Sequence, residues 1–230
     1  MDTSSTNWIV VSLGGSLIAP DRVDAAYVKS FVALIKQEVQ KGVHFAIITG
    51  GGKIAREYRD ALMATGVTDP AILDWMGIAA TRYNAELLRY SFGDLAEPAI
   101  FLDPTTPALS GKQILVGGGW KPGHSSDGSA VALAKTLGAK KLINLSNIDY
   151  VYDADPKKNP DAKPIEKTNW ADFRKLLPES WDPGINAPFD PVAARMAQEM
   201  GLEVAVVNGA RLDELENYIA GEPFMGTVIS

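Results

Sequence analysis

A chain of 230 residues is long enough for one large α/β domain or two small lobes with a substantial core. Its net charge of −6 lacks the basic excess typical of nucleic-acid binding, and the absence of cysteine excludes disulfides, zinc–thiolate sites and thiol catalysis. Two histidines are too few for a multi-histidine metal site. No apolar run is long enough to span a membrane and no signal-peptide pattern occurs, so we expect a cytoplasmic protein without a membrane partner.

Short apolar runs, each about as long as a strand, predict strands at Trp8–Leu13, Val43–Thr49, Ala99–Leu102, Gln113–Val116, Lys141–Leu145 and Glu203–Val207. Because the apolar positions are consecutive, these strands are expected to be buried on both faces. Helical patterns lie between them, at Val28–Val39, Asp74–Tyr90, Ser129–Leu137 and Pro191–Met200. The alternation predicts an α/β fold, a three-layer α/β/α sandwich with a mostly parallel central sheet.

Two irregular stretches interrupt this pattern without resembling flexible linkers. Asp153–Lys167 is polar and rich in proline, which predicts a surface loop, and Leu177–Pro191 is a second irregular segment. We therefore expect a single domain over residues 1–230. Glycines 117–119 predict a waist between an N-terminal lobe, about residues 1–118, and a C-terminal lobe, about residues 119–230.

Turns of small residues follow four of the predicted strands, at Leu13–Ser16, Gly50–Lys53, Gly117–Gly119 and Asn208–Gly209. In an open parallel sheet, ligands bind at the carboxyl ends of the strands. Glycine there permits close approach of a phosphate and the positive φ that aims N–H groups at an anion. One glycine pair could simply end a strand, but several runs favour a phosphate site. None has P-loop or dinucleotide spacing, so spacing alone specifies no reaction.

Six segments together resemble the amino acid kinase family and, within it, the uridylate kinases of the archaeal type. In chain order they read SLGGSLIAP, TGGGKIAREY, DWMGIAATRYNAELL, VGGGWKPGHSSDGSAVALA, LSNIDYVYDADPKK and FDPVAARMA, followed by a final GTVI. The resemblance runs from about Trp8 to Ile229. It implies the amino acid kinase fold, transfer of the ATP γ-phosphate to UMP, Mg²⁺ carried by ATP, and a homohexamer built as a trimer of dimers.

The resemblance places ATP in the C-terminal lobe and on the first glycine turns. The implied ATP-binding residues are Gly14, Gly15, Ser16, Gly52, Arg56, Ser146, Asn147, Tyr152, Asp155 and Lys158. Residues 14–16 are expected to hold the terminal phosphates through backbone N–H groups and a hydroxyl. The charged stretch that contains Lys157 and Lys158 has a second interpretation as an ordinary exposed loop.

The resemblance places UMP on the N-terminal lobe and on the WKPGHSS loop. The implied UMP-binding residues are Gly51, Asp74, Gly77, Trp120, Lys121, Pro122, Gly123, His124, Ser125 and Ser126. Asp74 is expected to accept hydrogen bonds from the ribose hydroxyls, and a helix N-cap is its alternative role. Ser126 is expected to cap the next helix. Arg82 either reaches a phosphate or pairs with an acid across an oligomer interface.

The implied catalytic residues are Lys53, Arg56 and Asp127. A guanidinium can hold a phosphate through parallel hydrogen bonds, although Arg56 could also be a solvated helix residue. Asp127 is expected to orient a cation or the Mg²⁺ of ATP, since the protein alone is expected to hold no metal. Ser12 stands where many family members have lysine, so Lys53, Arg56 and Mg²⁺ remain alternatives for offsetting the phosphoryl charge.

Two alternative functions remain open from the sequence. One is a kinase of the same fold that acts on a carboxylate or an isoprenoid phosphate; Lys53–Arg56, where the isoprenoid enzymes place a histidine, disfavours the latter. The other is a nucleotide-binding storage or regulatory protein without catalysis. Ser12 and Tyr150, which replaces a glycine of the family pattern, are the departures that favour it. A further departure is the segment WDPGINAP at residues 181–188.

Overall fold

The structure, a computed structural model, describes residues 7–156, 158–178 and 187–230. Its strands are β1 (Trp8–Leu13), β2 (His44–Thr49), β3 (Ile114–Gly117), β4 (Lys141–Ser146), β5 (Val151–Tyr152), β6 (Pro164–Ile165), β7 (Lys167–Thr168), β8 (Glu203–Asn208) and β9 (Gly226–Ile229). Its helices are α1 (Gly15–Ile18), α2 (Ala25–Gln40), α3 (Gly52–Ala64), α4 (Pro70–Phe92), α5 (Ser126–Leu137), α6 (Trp170–Phe173), α7 (Pro191–Met200) and α8 (Leu212–Ala220).

Within the described residues, the main sheet has seven strands in the order β3-β2-β1-β4-β8-β9-β7. β1 pairs in parallel with β2 and β4, β2 with β3, and β4 with β8, whereas β9 runs antiparallel to β8. β5 and β6 form a separate antiparallel pair. The carboxyl ends of the five long parallel strands therefore lie along one edge, where the small-residue turns follow four of them.

Helices cover both faces of this sheet, which confirms the three-layer fold. On one face Val10 and Val206 pack in a core with Leu133 of α5 and Ala197 of α7. The opposite core contains Phe31 and Ile35 of α2, Leu88 of α4 and Leu215 of α8, together with Ile47 of β2 and other strand residues. All six residues of β1 are buried, as expected for a central strand covered on both sides.

Five of the six predicted strands are confirmed within one or two residues. The predicted strand Ala99–Leu102 is wrong, since Phe101 makes an isolated bridge with Gly117. Pro98 precedes the segment and has no N–H to donate to a ladder. Instead, the buried carboxylate of Glu97 accepts hydrogen bonds from the Ser110 and Lys112 amides and organises a loop.

The four predicted helices are observed at their predicted places. Two residues considered as N-caps, Asp74 in its alternative role and Ser126, are not caps. α4 begins at Pro70 with Asp69 as its N-cap, so Asp74 lies inside the helix. α5 is capped by Ser125, whose Oγ accepts from the Gly128 amide, and Ser126 is its first residue. Helix α8 and strand β9 were not predicted, although α8 has acidic residues in its first turn and buries Leu215 and Tyr218.

The predicted surface loop at residues 153–167 is largely exposed, although it also contributes the short strand β6. Of the second irregular stretch, residues 179–186 lie outside the described part of the chain, as does most of the WDPGINAP segment and Lys157. Across residues 7–156, 158–178 and 187–230, the structure contains no helix with the length and apolar character needed to cross a bilayer.

Candidate functional site

The first two glycine turns pack directly against each other at the carboxyl ends of β1 and β2. A Cβ on Gly15 would overlap the backbone of Gly50 and Gly52. Gly52 has φ +64°, and a Cβ there would lie 2.5 Å from the Gly15 carbonyl oxygen. Glycine is therefore required on both sides of the contact. The packing brings the first turns of α1 and α3 together, as expected for a phosphate site built from backbone N–H groups.

Gly14 has a different role from the one expected of its N–H group. That N–H donates to the Leu145 carbonyl at 2.9 Å and so extends the contact between β1 and β4. The expectation that it points at a phosphate is therefore wrong. Ser16 is exposed at the start of α1, and Gly15 remains at the contact between the turns. The sheet thus fixes the backbone at Gly14, the residue that precedes the contact between the two turns.

The SNID segment joins the fourth turn. The Gly209 amide donates to the Ser146 carbonyl at 2.8 Å, and the Ser146 hydroxyl is buried without a hydrogen-bond partner among the described residues. The Asp149 carboxylate accepts from the Asn208 side chain at 2.8 Å and lies 3.1 Å from the Arg211 Nε. Sequence reasoning missed Asn208 and Arg211 as partners of this segment, because no local pattern links them to it.

Tyr152, Asp155 and Lys158 continue from the SNID segment towards the surface. Tyr152 is half-buried in β5, whereas Asp155 and Lys158 are exposed. The Lys158 ammonium lies 3.9 Å from the Asp155 carboxylate. Asn147 is also exposed, directly after β4. The residues that the resemblance assigned to ATP after β4 therefore extend from the end of that strand through β5 to the exposed loop.

Asp74 reaches the WKPGHSS loop from helix α4. Its Oδ2 accepts a hydrogen bond from the Gly123 amide at 2.9 Å, and Gly123 has φ +79°. Within the loop, the Trp120 and His124 rings meet edge to face at 4.7 Å, and the Lys121 ammonium lies 4.0 Å from the Trp120 ring. Gly77, one turn along α4 from Asp74, faces open space. The structure thus joins the helix and the loop that the sequence associated separately with the acceptor.

The side of α4 beyond Asp74 contacts two of the turns. The Thr81 Oγ accepts from the Gly119 amide at 2.6 Å, and Arg82 donates to the Gly119 and Trp120 carbonyls at 3.3 and 2.9 Å. Asn84 donates to the Gly50 carbonyl at 2.8 Å. Sequence reasoning missed the contacts of Thr81 and Asn84, which a helical pattern alone does not reveal.

Asp127 lies half-buried beneath the glycine turns. Its two carboxylate oxygens accept from the Ser12 hydroxyl at 2.9 Å and from the Asp190 amide at 3.2 Å. The pKa of Asp127 is raised to about 6, chiefly by burial and also by the nearby Asp190 carboxylate, whereas the hydrogen bonds from Ser12 and the Asp190 amide act in the opposite direction. Ser12 therefore holds Asp127 from the position where many family members have lysine.

The two cations expected at the second turn differ in their surroundings. The Lys53 ammonium lies 2.5 Å from Asp21 and 3.7 Å from Glu57, and the hydrogen bond to Asp21 raises the pKa of Lys53. Arg56 is exposed one turn further along α3. Among the described residues, no three His, Asp or Glu side chains converge as a metal-binding cluster.

Comparison with known proteins gives one consistent result. A sequence profile of the amino acid kinase family matches residues 7–208. The chain is 34% identical over 225 residues to the uridylate kinase of Methanospirillum hungatei, covering 96% of this chain and 94% of that protein. It is also 34% identical over 227 residues to the uridylate kinase of Thermoplasma volcanium, covering 96% of both proteins.

Solved structures agree with the sequence matches. The uridylate kinase of Archaeoglobus fulgidus superposes with a TM-score of 0.85 at 29% identity, over 96% of this chain and 99% of that chain. The UMP kinase of Bacillus anthracis superposes with a TM-score of 0.77 at 20% identity, over 97% of this chain and 96% of that chain, a likeness that shows the fold alone.

Proposed function

Since the chain belongs to the amino acid kinase family, we propose that it is a uridylate kinase, which transfers the γ-phosphate of ATP to UMP and yields UDP and ADP. The observation that carries the proposal is the 2.9 Å contact between the Asp74 carboxylate and the Gly123 amide. It joins the acceptor helix and the WKPGHSS loop into one site beside the packed glycine turns.

UMP is proposed to bind along α4 and the loop that begins at Trp120. Asp74 suits the ribose hydroxyls because a carboxylate accepts from two adjacent hydroxyl groups, and Gly77 leaves open space one turn away. The rest of the proposed acceptor site comprises Gly51, Trp120, Lys121, Pro122, Gly123, His124, Ser125 and Ser126. In the proposed lobe division, residues 1–118 supply the acceptor helix, and the loop belongs to residues 119–230.

ATP is proposed to bind over the turn at Gly15 and Ser16 and along the segment after β4. The close backbone contact between Gly15 and Gly52 supports this placement, because it brings N–H groups of two turns to one point. The base and ribose are assigned to Ser146, Asn147, Tyr152 and Asp155, and Arg56 and Lys158 complete the proposed set, from which Gly14 is left out because its N–H is bonded to the Leu145 carbonyl.

The chemistry proposed is an in-line displacement that depends on positioning and charge stabilisation. The acceptor is already an anion, so no strong general base is required. Lys53 and Arg56, on the first turns of α3, are the proposed cations for the transferred group. For Lys53 this requires that its contact with Asp21 be exchanged for the phosphate.

Mg²⁺ is proposed to arrive with ATP. A hard cation requires oxygen ligands, and Asp127 offers a carboxylate beneath the turns whose two oxygens already accept hydrogen bonds from Ser12 and Asp190. The ATP phosphates would therefore supply most of its ligands. When bound, the ion neutralises charge on the phosphates; Asp127 orients it.

A homohexamer arranged as a trimer of dimers, located in the cytoplasm, is proposed from the resemblance. Apolar side chains exposed on α3 and α4 support association through these helices: Tyr58, Met63, Ile72, Trp75, Tyr83 and Tyr90. Tyr83 is 83% exposed, and helix α3 has no buried residue in this chain alone. Sedimentation velocity would test the assembly, with a monomer as the contradicting result.

A coupled assay of ADP release tests the proposed activity. ATP and Mg²⁺ are supplied with UMP, CMP, dUMP or a carboxylate acceptor. Release that requires UMP is the expected result. Release only with another acceptor would reassign the substrate, and nucleotide binding without release would replace the kinase by a nucleotide-binding protein.

A further inference from the structure

Helix α4 packs so closely against the residues after β3 that a side chain on Gly118 would not fit between them. A Cβ on Gly118 would lie 2.7 Å from the Thr81 Oγ and 2.8 Å from the Arg82 amide nitrogen. The glycine therefore serves close backbone approach at this point. Thr81 is itself anchored, because the Thr49 hydroxyl of β2 donates to its carbonyl at 2.7 Å. The middle of α4 is thus tied to the sheet where the loop begins.

Arg82 donates hydrogen bonds to two carbonyls that lie beyond the end of strand β3. β3 ends at Gly117, so the Gly119 and Trp120 carbonyls lie beyond the ladder. Arg82 donates its Nε to the first and a terminal nitrogen to the second, at 3.3 and 2.9 Å. The guanidinium also lies 5.7 Å from the Trp75 ring. A planar group with several donors can hold two successive carbonyls, whereas an ammonium cannot match that geometry.

The far end of the same loop returns to the same helix. The Gly123 amide donates to Asp74, which precedes Arg82 on α4 by about 12 Å at 1.5 Å per residue. The loop is therefore held at its start by Thr81 and Arg82 and at its tip by Asp74. On this basis we infer that Arg82 is a positioning residue for the acceptor, which fixes the backbone of Gly119 and Trp120 and contacts no phosphate.

This inference rests on the proposed function and separates three roles for Arg82. A positioning residue affects UMP binding through the loop. A phosphate ligand would affect the chemical step or both substrates. An arginine paired with an acid across an interface would affect assembly. The observed donors are directed at carbonyls of the same chain, which favours the first role.

The kinetic test compares Arg82→Met and Arg82→Lys with the wild type. We expect KM for UMP to rise about 30-fold in Arg82→Met, which corresponds to two lost charge-assisted hydrogen bonds, with KM for ATP within about twofold. KM for UMP in Arg82→Lys should lie between the values of the wild type and Arg82→Met. Arg89→Met is the matched control: Arg89 is on the same helix, pairs with Glu86 at 2.6 Å and stacks on Tyr90, away from the loop.

Hydrogen exchange provides a readout that does not depend on the activity. The backbone amides of residues 119–121 and 123–125 should exchange at least about tenfold faster in Arg82→Met than in Arg89→Met, because the loop loses its support at one end. If the wild type shows no UMP-dependent turnover, the proposed function fails, and this exchange result still decides the role of Arg82.

Three results would overturn the inference. They are an equal rise of both KM values, a lower kcat with unchanged KM for UMP, and dissociation of the assembly without faster exchange at residues 119–125. If Arg82→Met does not fold, Arg82→Lys replaces it, because an ammonium cannot hold the Gly119 and Trp120 carbonyls together as the guanidinium does. Exchange at residues 119–125 should then be faster in Arg82→Lys than in the wild type and in Arg89→Met. Equal exchange in all three proteins would contradict the inference.

Discussion

The proposed donor and acceptor sides of the candidate site are held by different parts of the chain. On the donor side, the turns at Gly15 and Gly52 touch backbone to backbone, and the Gly14 amide is bonded to Leu145. On the acceptor side, the loop is held by side chains of one helix, chiefly Asp74 and Arg82. The donor side should therefore be most sensitive to a Cβ added at its glycines, and the acceptor side to the loss of side chains on α4.

The largest effect is expected from Gly15→Ala. Its new Cβ would overlap backbone atoms of Gly50 and Gly52, which belong to the sheet end and cannot move freely. We expect the free energy of unfolding to fall by about 3 kcal/mol or more, and kcat/KM for ATP to fall about 100-fold in the folded fraction. Denaturant unfolding and steady-state kinetics measure both.

The control for that change is Gly128→Ala on α5. There the added Cβ would lie 3.4 Å from the Ser125 hydroxyl, which is an ordinary contact. The free energy of unfolding should therefore change little. Equal destabilisation by both substitutions would show that the contact between the two turns is not what requires glycine at residue 15.

The largest effect on the binding of UMP is expected from Asp74→Ala. It removes the acceptor of the Gly123 amide and the proposed ligand of the ribose hydroxyls. KM for UMP should rise about 50-fold, as expected for the loss of a charged hydrogen-bonding group, with KM for ATP nearly unchanged. Steady-state kinetics with each substrate varied in turn measures the split.

Asp69→Ala is the matched control for Asp74. Asp69 caps the same helix by accepting from the Ala71 amide, so its loss should cost about 1 kcal/mol of stability and leave KM for UMP unchanged. An unchanged KM for UMP in Asp74→Ala would contradict the acceptor assignment.

Asp127→Asn tests the buried carboxylate by its pH dependence. Because the pKa of Asp127 is raised in the folded protein to about 6 from the ordinary carboxyl value of 3.8, protonated Asp127 stabilises the fold fully below about pH 4, and this contribution is lost as pH rises through 6. Relative to the variant, the wild type should lose up to about 3 kcal/mol over that range. Unfolding at a series of pH values without nucleotide measures it; a pH-independent difference would contradict it.

The smallest effect is expected from Gly77→Ala. The added Cβ meets open space, and alanine should stabilise α4 by up to about 1 kcal/mol. If that space belongs to UMP, KM for UMP should rise about tenfold although the melting temperature increases. A more stable enzyme with unchanged KM would place the acceptor elsewhere.

The elements that could be predicted are those whose pattern is local. β1 was predicted with its observed bounds because six consecutive buried residues end in a glycine turn. Asp74 looked like a cap, but α4 begins four residues earlier, where Asp69 is the N-cap and Pro70 is the first helical residue. The Asp-Pro pair is itself a signal for the start of a helix. Ala99–Leu102 is apolar enough for a strand, but a short bridge at Phe101 is all that the structure shows there.

The contacts that could not be predicted join residues far apart in sequence. Ser12 and Asp127 are separated by 115 positions and meet because β1 ends beside the start of α5. Arg82 and Trp120 are separated by 38, and their contact depends on how closely α4 approaches β3. The residue types at the glycine turns and the WKPGHSS loop suggested the ligands, whereas the side chains that hold these segments became visible only with the fold.

Direct observation of the products tests the central claim most closely. A ³¹P spectrum is recorded of the wild type with ATP, Mg²⁺ and UMP at equal concentrations. We expect the UMP resonance to decline while the two resonances of UDP and those of ADP appear together. An unchanged UMP resonance while the enzyme remains folded would contradict phosphoryl transfer to UMP. The formation of ADP with free phosphate in place of UDP would also contradict it.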